Sequence, residues 1–158
     1  MDAIRIDTSR TKAVIFDMNG TMVVGESASN LQEVAGLRRL VHLLGSHGVL
    51  LAIATRASRA ECEQVLRQIE LEEKFKLLLT TEDVRHPKPH PEIYQLALKK
   101  LAISAEEALV FEDTPSGIMA AKTAGIPVVG IIGFYEANQL MESGALACLS
   151  DFRPIALT

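Results

Sequence analysis

The sequence predicts an α/β protein: a three-layer, Rossmann-like sandwich with a mainly parallel sheet, formed by a single domain over residues 1–158. Short, nearly uniform apolar runs recur along the chain, and each is followed by a stretch with helical spacing. Such runs suit strands buried on both faces, and their alternation with helices suits parallel pairing. A hydrophobic content of 48% over 158 residues is ample for a core of two or three layers.

Strands are expected at Ala13–Asp17, Val49–Thr55, Lys76–Thr80, Ala108–Asp113 and Val128–Ile132. Helices are expected between them at Leu31–Gly45, Ser58–Leu71, Pro91–Leu101 and Pro115–Ala124. In the first, Leu31, Val34, Val41 and Leu44 recur on one face, the mark of a helix lying on a sheet. Ser58 with Glu61, and Ser104 with Glu107, have capping-box spacing; Pro91 and Pro115 suit first helical positions, and Gly125 suits a C-terminal cap. A short helix at Glu136–Met141 and an edge strand at Ala145–Leu149 complete the prediction.

The formal net charge of −4 and pI near 5.6 exclude a broad basic face for nucleic acid, while leaving room for a local phosphate site. Apolar stretches such as Val49–Ala54 are strand-sized, so no membrane span is expected. The chain opens without a basic segment and long apolar run, so a cytoplasmic location is expected. Cys62 and Cys148 read as packing residues, not as a zinc or disulfide framework.

Chemistry concentrates where apolar runs end. Ala13-Val14-Ile15-Phe16 delivers Asp17 onto the turn Met18-Asn19-Gly20-Thr21, and open α/β folds bind ligands at such carboxyl edges. A second run ends in Thr55, and a third in Glu112-Asp113-Thr114. Lys88 lies in His86-Pro87-Lys88-Pro89-His90-Pro91, where prolines stiffen the backbone that presents it. Each of these residues alone reads as a turn residue or a solvated charge; four in order at sensible spacing do not. Arg56 suits either contact with substrate or plain solvation. His86 and His90 have a metal-pair spacing only on a helix, which the prolines forbid.

Taken in order, Asp17, Thr55, Lys88 and Glu112-Asp113 resemble the haloacid dehalogenase superfamily of aspartate-nucleophile phosphohydrolases. The resemblance covers roughly residues 12 to 151 and is most specific in Val110-Phe111-Glu112-Asp113-Thr114-Pro115-Ser116-Gly117-Ile118, continuing through Ala120-Ala121 to Ala124-Gly125. In motif style it is similar to the phosphatase and phosphoglucomutase-like subgroup. It implies that Asp17 attacks a phosphoryl group, that Thr55 and Lys88 cradle the phosphate, and that Mg2+ is held by Asp17, the Asn19 carbonyl and Asp113, with Glu112 beside them. Many members insert a cap domain after the first motif. The short interval between Asp17 and Thr55 leaves only about Met22 to Asn30 for a flap, so a core without a substantial cap is expected. Such an open site accepts a bulky phosphorylated substrate or is covered by a second copy of the chain.

The chain departs from the family at Asn19, where phosphatases usually carry the Asp that protonates the leaving group and activates water. An amide cannot shuttle a proton, and general acid–base catalysis is worth about 10²–10⁴-fold. Three classes follow: an attenuated phosphomonoesterase, a non-catalytic phosphate-binding or regulatory protein, and an engineered Asp-to-Asn form of an ordinary phosphatase. Asn19-Gly20 is also the dipeptide most open to deamidation, since glycine leaves its backbone nitrogen free to attack the amide.

Overall fold

The computed structural model describes residues 3–158. Ten strands run in chain order: β1 (Ile4–Ile6), β2 (Ala13–Phe16), β3 (Val23–Val24), β4 (Gln32–Glu33), β5 (Leu50–Ala54), β6 (Leu77–Leu79), β7 (Ala108–Glu112), β8 (Val128–Ile131), β9 (Ala147–Leu149) and β10 (Ile155–Leu157). Five helices join them: α1 (Leu37–Ser46), α2 (Arg59–Gln68), α3 (Glu92–Leu101), α4 (Pro115–Thr123) and α5 (Ala137–Glu142).

Six strands form one parallel sheet in the order β6-β5-β2-β7-β8-β9. Alternate residues face opposite layers, as a period of two requires. Val14, Phe16, Leu51, Ile53, Phe111, Val129 and Ile131 point into a core closed by α1, α2 and Phe152. Ala13, Ile15, Ala52, Ala54, Val110 and Val128 point into a second core closed by α3, α4 and Leu140 of α5. The three-layer arrangement expected from the sequence is present. Strand order reverses at β2, which lies between β5 and β7 with chain winding away on either side. That reversal opens a crevice at the carboxyl end of β2.

Two expectations require correction. The first helix begins at Leu37, not Leu31, because Gly36 precedes it at φ +83°, a left-handed conformation that interrupts a helix. Gly36 also lies against backbone, since a Cβ there would be 2.7 Å from the Arg153 nitrogen. The chain ahead of it is drawn into an antiparallel hairpin of β3 and β4, which is the flap. Second, the predicted elements omit the parallel pair β1–β10, which joins segments some 150 residues apart. Elsewhere the boundaries agree within a few residues. Ser58 accepts from the Glu61 N–H at the start of α2, Ser104 and Glu107 form a capping box on a single 3-10 turn, and Gly125 follows α4 at φ +82°.

Candidate active site

The sheet places the candidate groups. The Asp17 N–H donates to the Phe111 carbonyl at 3.0 Å, so the β2–β7 ladder continues one residue beyond β2 and fixes the nucleophile candidate. Thr55 is held likewise by the Leu79 carbonyl at 3.0 Å, past the end of β5. Glu112 ends β7 and Asp113 follows it. Lys88 enters from the segment between β6 and α3, and its Nζ reaches Asp17 Oδ1 at 3.1 Å, Glu112 Oε1 at 2.6 Å and the Ala54 carbonyl at 2.9 Å.

Asp17, Glu112 and Asp113 bring ligand atoms within 4.8 Å of one another, all three buried. Thr21 Oγ1 donates to Asp113 Oδ1 at 3.0 Å and faces Asp17 Oδ2 at 3.5 Å. Two of the three carboxylates, Asp17 and Glu112, thus share one ammonium, while Asp113 has only the Thr21 hydroxyl. Burial, reinforced by the Asp17 carboxylate, pushes the Asp113 carboxyl up to about 8. Burial and the charge on Asp17 push Glu112 up to about 7, against the pull of Lys88 and Tyr94. Burial opposes charge on Lys88 as well, but the two carboxylates outweigh it and hold the ammonium protonated. The arrangement is short of positive charge, and its donors are hard oxygens. Both facts fit a divalent cation such as Mg2+. Glu112 Oε2 is buried and has no hydrogen-bond partner among the described residues, a further unmet demand for a positive group.

Asp17 and Lys88 border a cavity of about 120 Å³, together with Asn19, Thr55, Arg56, Ala57 and Thr114. Lys88 and Arg56 are the cations on its wall, which favours an anion. Thr55 Oγ1 accepts from the Ala57 N–H at 3.0 Å, leaving its own O–H to donate. Arg56 is more than a solvated charge: its Nη2 donates to the Lys88 carbonyl at 2.9 Å and to Ser116 Oγ, tying the lysine segment to α4.

Two glycines make the carboxylate pair possible. A Cβ at Gly20 would lie 2.0 Å from Asp113 Oδ2, and Gly117 approaches Glu112 just as closely. Gly20 also has φ +85°, and its N–H donates to the Val23 carbonyl at 2.7 Å, closing the turn that carries Asn19. The Asn19 side chain is exposed at the cavity edge.

All six expected residues, Asp17, Asn19, Thr55, Lys88, Glu112 and Asp113, converge on this crevice. Sequence reasoning omitted Tyr94, whose hydroxyl donates to Glu112 Oε1 and whose ring centroid lies 5.3 Å from Lys88 Nζ. A tyrosine on the buried face of a helix that follows the lysine was the available signal, because its hydroxyl needs a partner. His86 and His90 are not on a helix, as expected, yet their rings stack at 4.6 Å beside Glu92. Glu92 anchors that turn, accepting from the Arg85 and His86 N–H groups at 2.9 Å each.

A family model described as haloacid dehalogenase-like hydrolase matches residues 22–131. The chain belongs to this family. The matched stretch contains Thr55, Lys88, Glu112 and Asp113 and begins after Asp17 and Asn19. Among curated relatives, the "Phosphorylated carbohydrates phosphatase" of Thermotoga maritima is 37% identical over 119 residues, covering 74% of this chain and 55% of the relative. The "Validoxylamine A 7'-phosphate phosphatase" of Streptomyces hygroscopicus subsp. limoneus is 37% identical over 113 residues, covering 72% and 53%. The chain therefore spans about half the length of these two relatives. A solved HAD hydrolase of family IA, variant 3, from Entamoeba histolytica shares the fold, with a TM-score of 0.82 at 22% identity over 92% of this chain and 96% of that one. Between β2 and α1 this protein has only the β3–β4 flap where a cap domain would be inserted. No helix among the described residues is long and apolar enough to cross a membrane.

Proposed function

We propose that this domain is a magnesium-dependent, cytoplasmic phosphomonoesterase working through an aspartyl-phosphate, slowed by Asn19. The observation that carries this reading is Asp17, whose carboxylate faces a small cavity with Lys88, Arg56 and Thr55 on its wall and two further carboxylates behind it. The phosphatase names of the curated relatives support the same reaction class.

An Asp17 oxygen attacks phosphorus, a bond forms between them, and the bond from phosphorus to the leaving oxygen breaks. Lys88 and Thr55 donate to phosphoryl oxygens, and Arg56 holds the Lys88 backbone in place. Asp17, Asp113 and the Asn19 carbonyl, with Glu112 beside them, would hold Mg2+, which supplies charge neutralisation at the phosphoryl oxygens. The leaving oxygen must take its proton from water, since the Asn19 amide has none to give. Water then cleaves the aspartyl-phosphate, releasing phosphate and regenerating Asp17.

Phosphate release from p-nitrophenyl phosphate, with magnesium and with chelator, tests this. Activity is expected only with metal, lost in Asp17→Ala, and raised in Asn19→Asp by up to about 10²–10⁴-fold. An Asp17→Ala protein as active as the parent would sink the enzyme reading. Inertness of both parent and Asn19→Asp would favour the second reading, a phosphate-binding or regulatory protein, which the amide at position 19 motivates.

A further inference from the structure

A second opening adjoins the phosphate cavity, and Asn19 is the one residue that lines both. It is a groove of about 350 Å³ between the flap and α2, within the roughly 300–1,000 Å³ span of small-molecule sites. Along α2 the residues at helical spacing 61, 64 and 68 put Glu61, Gln64 and Gln68 on the groove wall, and Glu26 and Ser27 face them from the flap. Gln68 Nε2 donates to the Ala28 carbonyl and holds the flap to the helix at the far end.

The two openings have opposite charge. The phosphate side offers Lys88 and Arg56. The groove side offers two carboxylates, and among the described residues no lysine or arginine lines it. Nor do Glu26 and Glu61 form an ion pair with any described residue. The groove continues from the phosphate cavity at Asn19, and its wall mixes the apolar Met18, Leu31 and Val65 with the hydroxyl of Ser27 and the carboxamides of Gln64 and Gln68, which both donate and accept.

We propose that this groove holds the leaving group of the phosphomonoester and selects a polar, hydroxyl-bearing leaving group that carries an ammonium, rejecting one that carries a second phosphate. The proposal rests on the phosphatase reading for the placement of the ester, but its charge selectivity is a matter of binding. A second anion would face Glu26 and Glu61 with no cation to receive it. An ammonium would meet two carboxylates at no cost in displaced partners.

Calorimetric titration of the magnesium-loaded protein with glucosamine 6-phosphate, glucose 6-phosphate and fructose 1,6-bisphosphate decides this, and slow turnover aids the measurement. The amino ester is expected to bind about 3- to 10-fold more tightly than glucose 6-phosphate, the sum of two exposed ion pairs, with the bisphosphate weakest. In the Glu26→Gln/Glu61→Gln double variant that preference should vanish. Equal affinities, tightest binding of the bisphosphate, a preference that survives in the double variant, or no binding of any ester would each overturn it. Hydrolysis of p-nitrophenyl phosphate by the same parent sample separates the two readings. Its absence beside selective binding overturns the phosphatase reading alone, and its presence beside flat affinities overturns the groove alone.

Discussion

Glu112 occupies the space that Gly117 leaves empty: a Cβ on Gly117 would lie 2.1 Å from the Glu112 carboxyl carbon. Helix α4 thus begins against a fully buried carboxylate, with no room there for a side chain.

Gly117→Ala should therefore destabilise the fold by about 1–3 kcal/mol, the usual penalty of overpacking a core. Gly45→Ala is the control, since that glycine lies in α1 with open space where its Cβ would stand. It should gain about 0.5–1 kcal/mol from reduced backbone entropy. Urea denaturation of both variants checks the opposite signs, and equal effects would contradict the close approach.

Removing Lys88 leaves Glu112 and Asp17 in the interior without their shared ammonium. Breaking a buried charge pair costs about 3–5 kcal/mol, so Lys88→Met should lower the melting temperature by on the order of 10 °C in a chain of this size. The comparison variant is Lys12→Met, whose ion pair with Glu107 is exposed on the lysine side. It should shift melting by no more than about 4 °C, at about 0–1 kcal/mol. Differential scanning calorimetry distinguishes these.

Metal affinity should depend on pH with a definite sign. Asp113 has its carboxyl pushed up to about 8 by burial and by Asp17, so without metal it carries a proton at neutral pH. Magnesium requires the carboxylate and must displace that proton. Apparent affinity should rise roughly tenfold per pH unit below 8 and level off above it. Without metal the same group binds more protons folded than unfolded, so its contribution to stability falls as pH rises from about 4 towards 8. Thermal shifts at pH 6, 7, 8 and 9, with and without magnesium, read both trends. A metal-induced shift independent of pH would contradict them.

The two thiols should react in order. Burial pushes the Cys62 thiol up to about 11, and Cys148, only partly buried, is raised as well. With iodoacetamide at pH 8, Cys148 should be alkylated first, and Cys62 only as fast as the chain unfolds, since the thiolate is the reactive form. Peptide mass spectrometry at successive times gives the two rates.

How much could be read beforehand follows from where information lies in the chain. Asp17, Thr55 and Glu112-Asp113 were legible because each apolar strand stops abruptly at a polar residue, and the parallel sheet brings those stops to one edge. Lys88 was legible through its prolines. The flap was legible only as leftover length, because β3 and β4 have two residues each and show no period. The pairing of β1 with β10 is longer-range than any local pattern reports. Tyr94 lay hidden in plain helical spacing, its hydroxyl bonded to Glu112 at the end of the next strand, a contact that no local pattern reports.

The hydrogen bond from the Gly20 N–H to the Val23 carbonyl, 2.7 Å long, has a chemical effect beyond shape. That nitrogen is the atom that must attack the Asn19 amide for asparagine to become aspartate, and in the folded turn it is engaged and held. Each excursion to the unfolded state releases it. Aspartate at position 19 should then accumulate as a clock of cumulative time spent unfolded, running in urea and nearly stopped in native buffer. Because the product restores a carboxylate where the proton shuttle is missing, a sample's catalytic rate would carry a memory of its handling. Aged and freshly made protein would differ in their histories as well as in their purity.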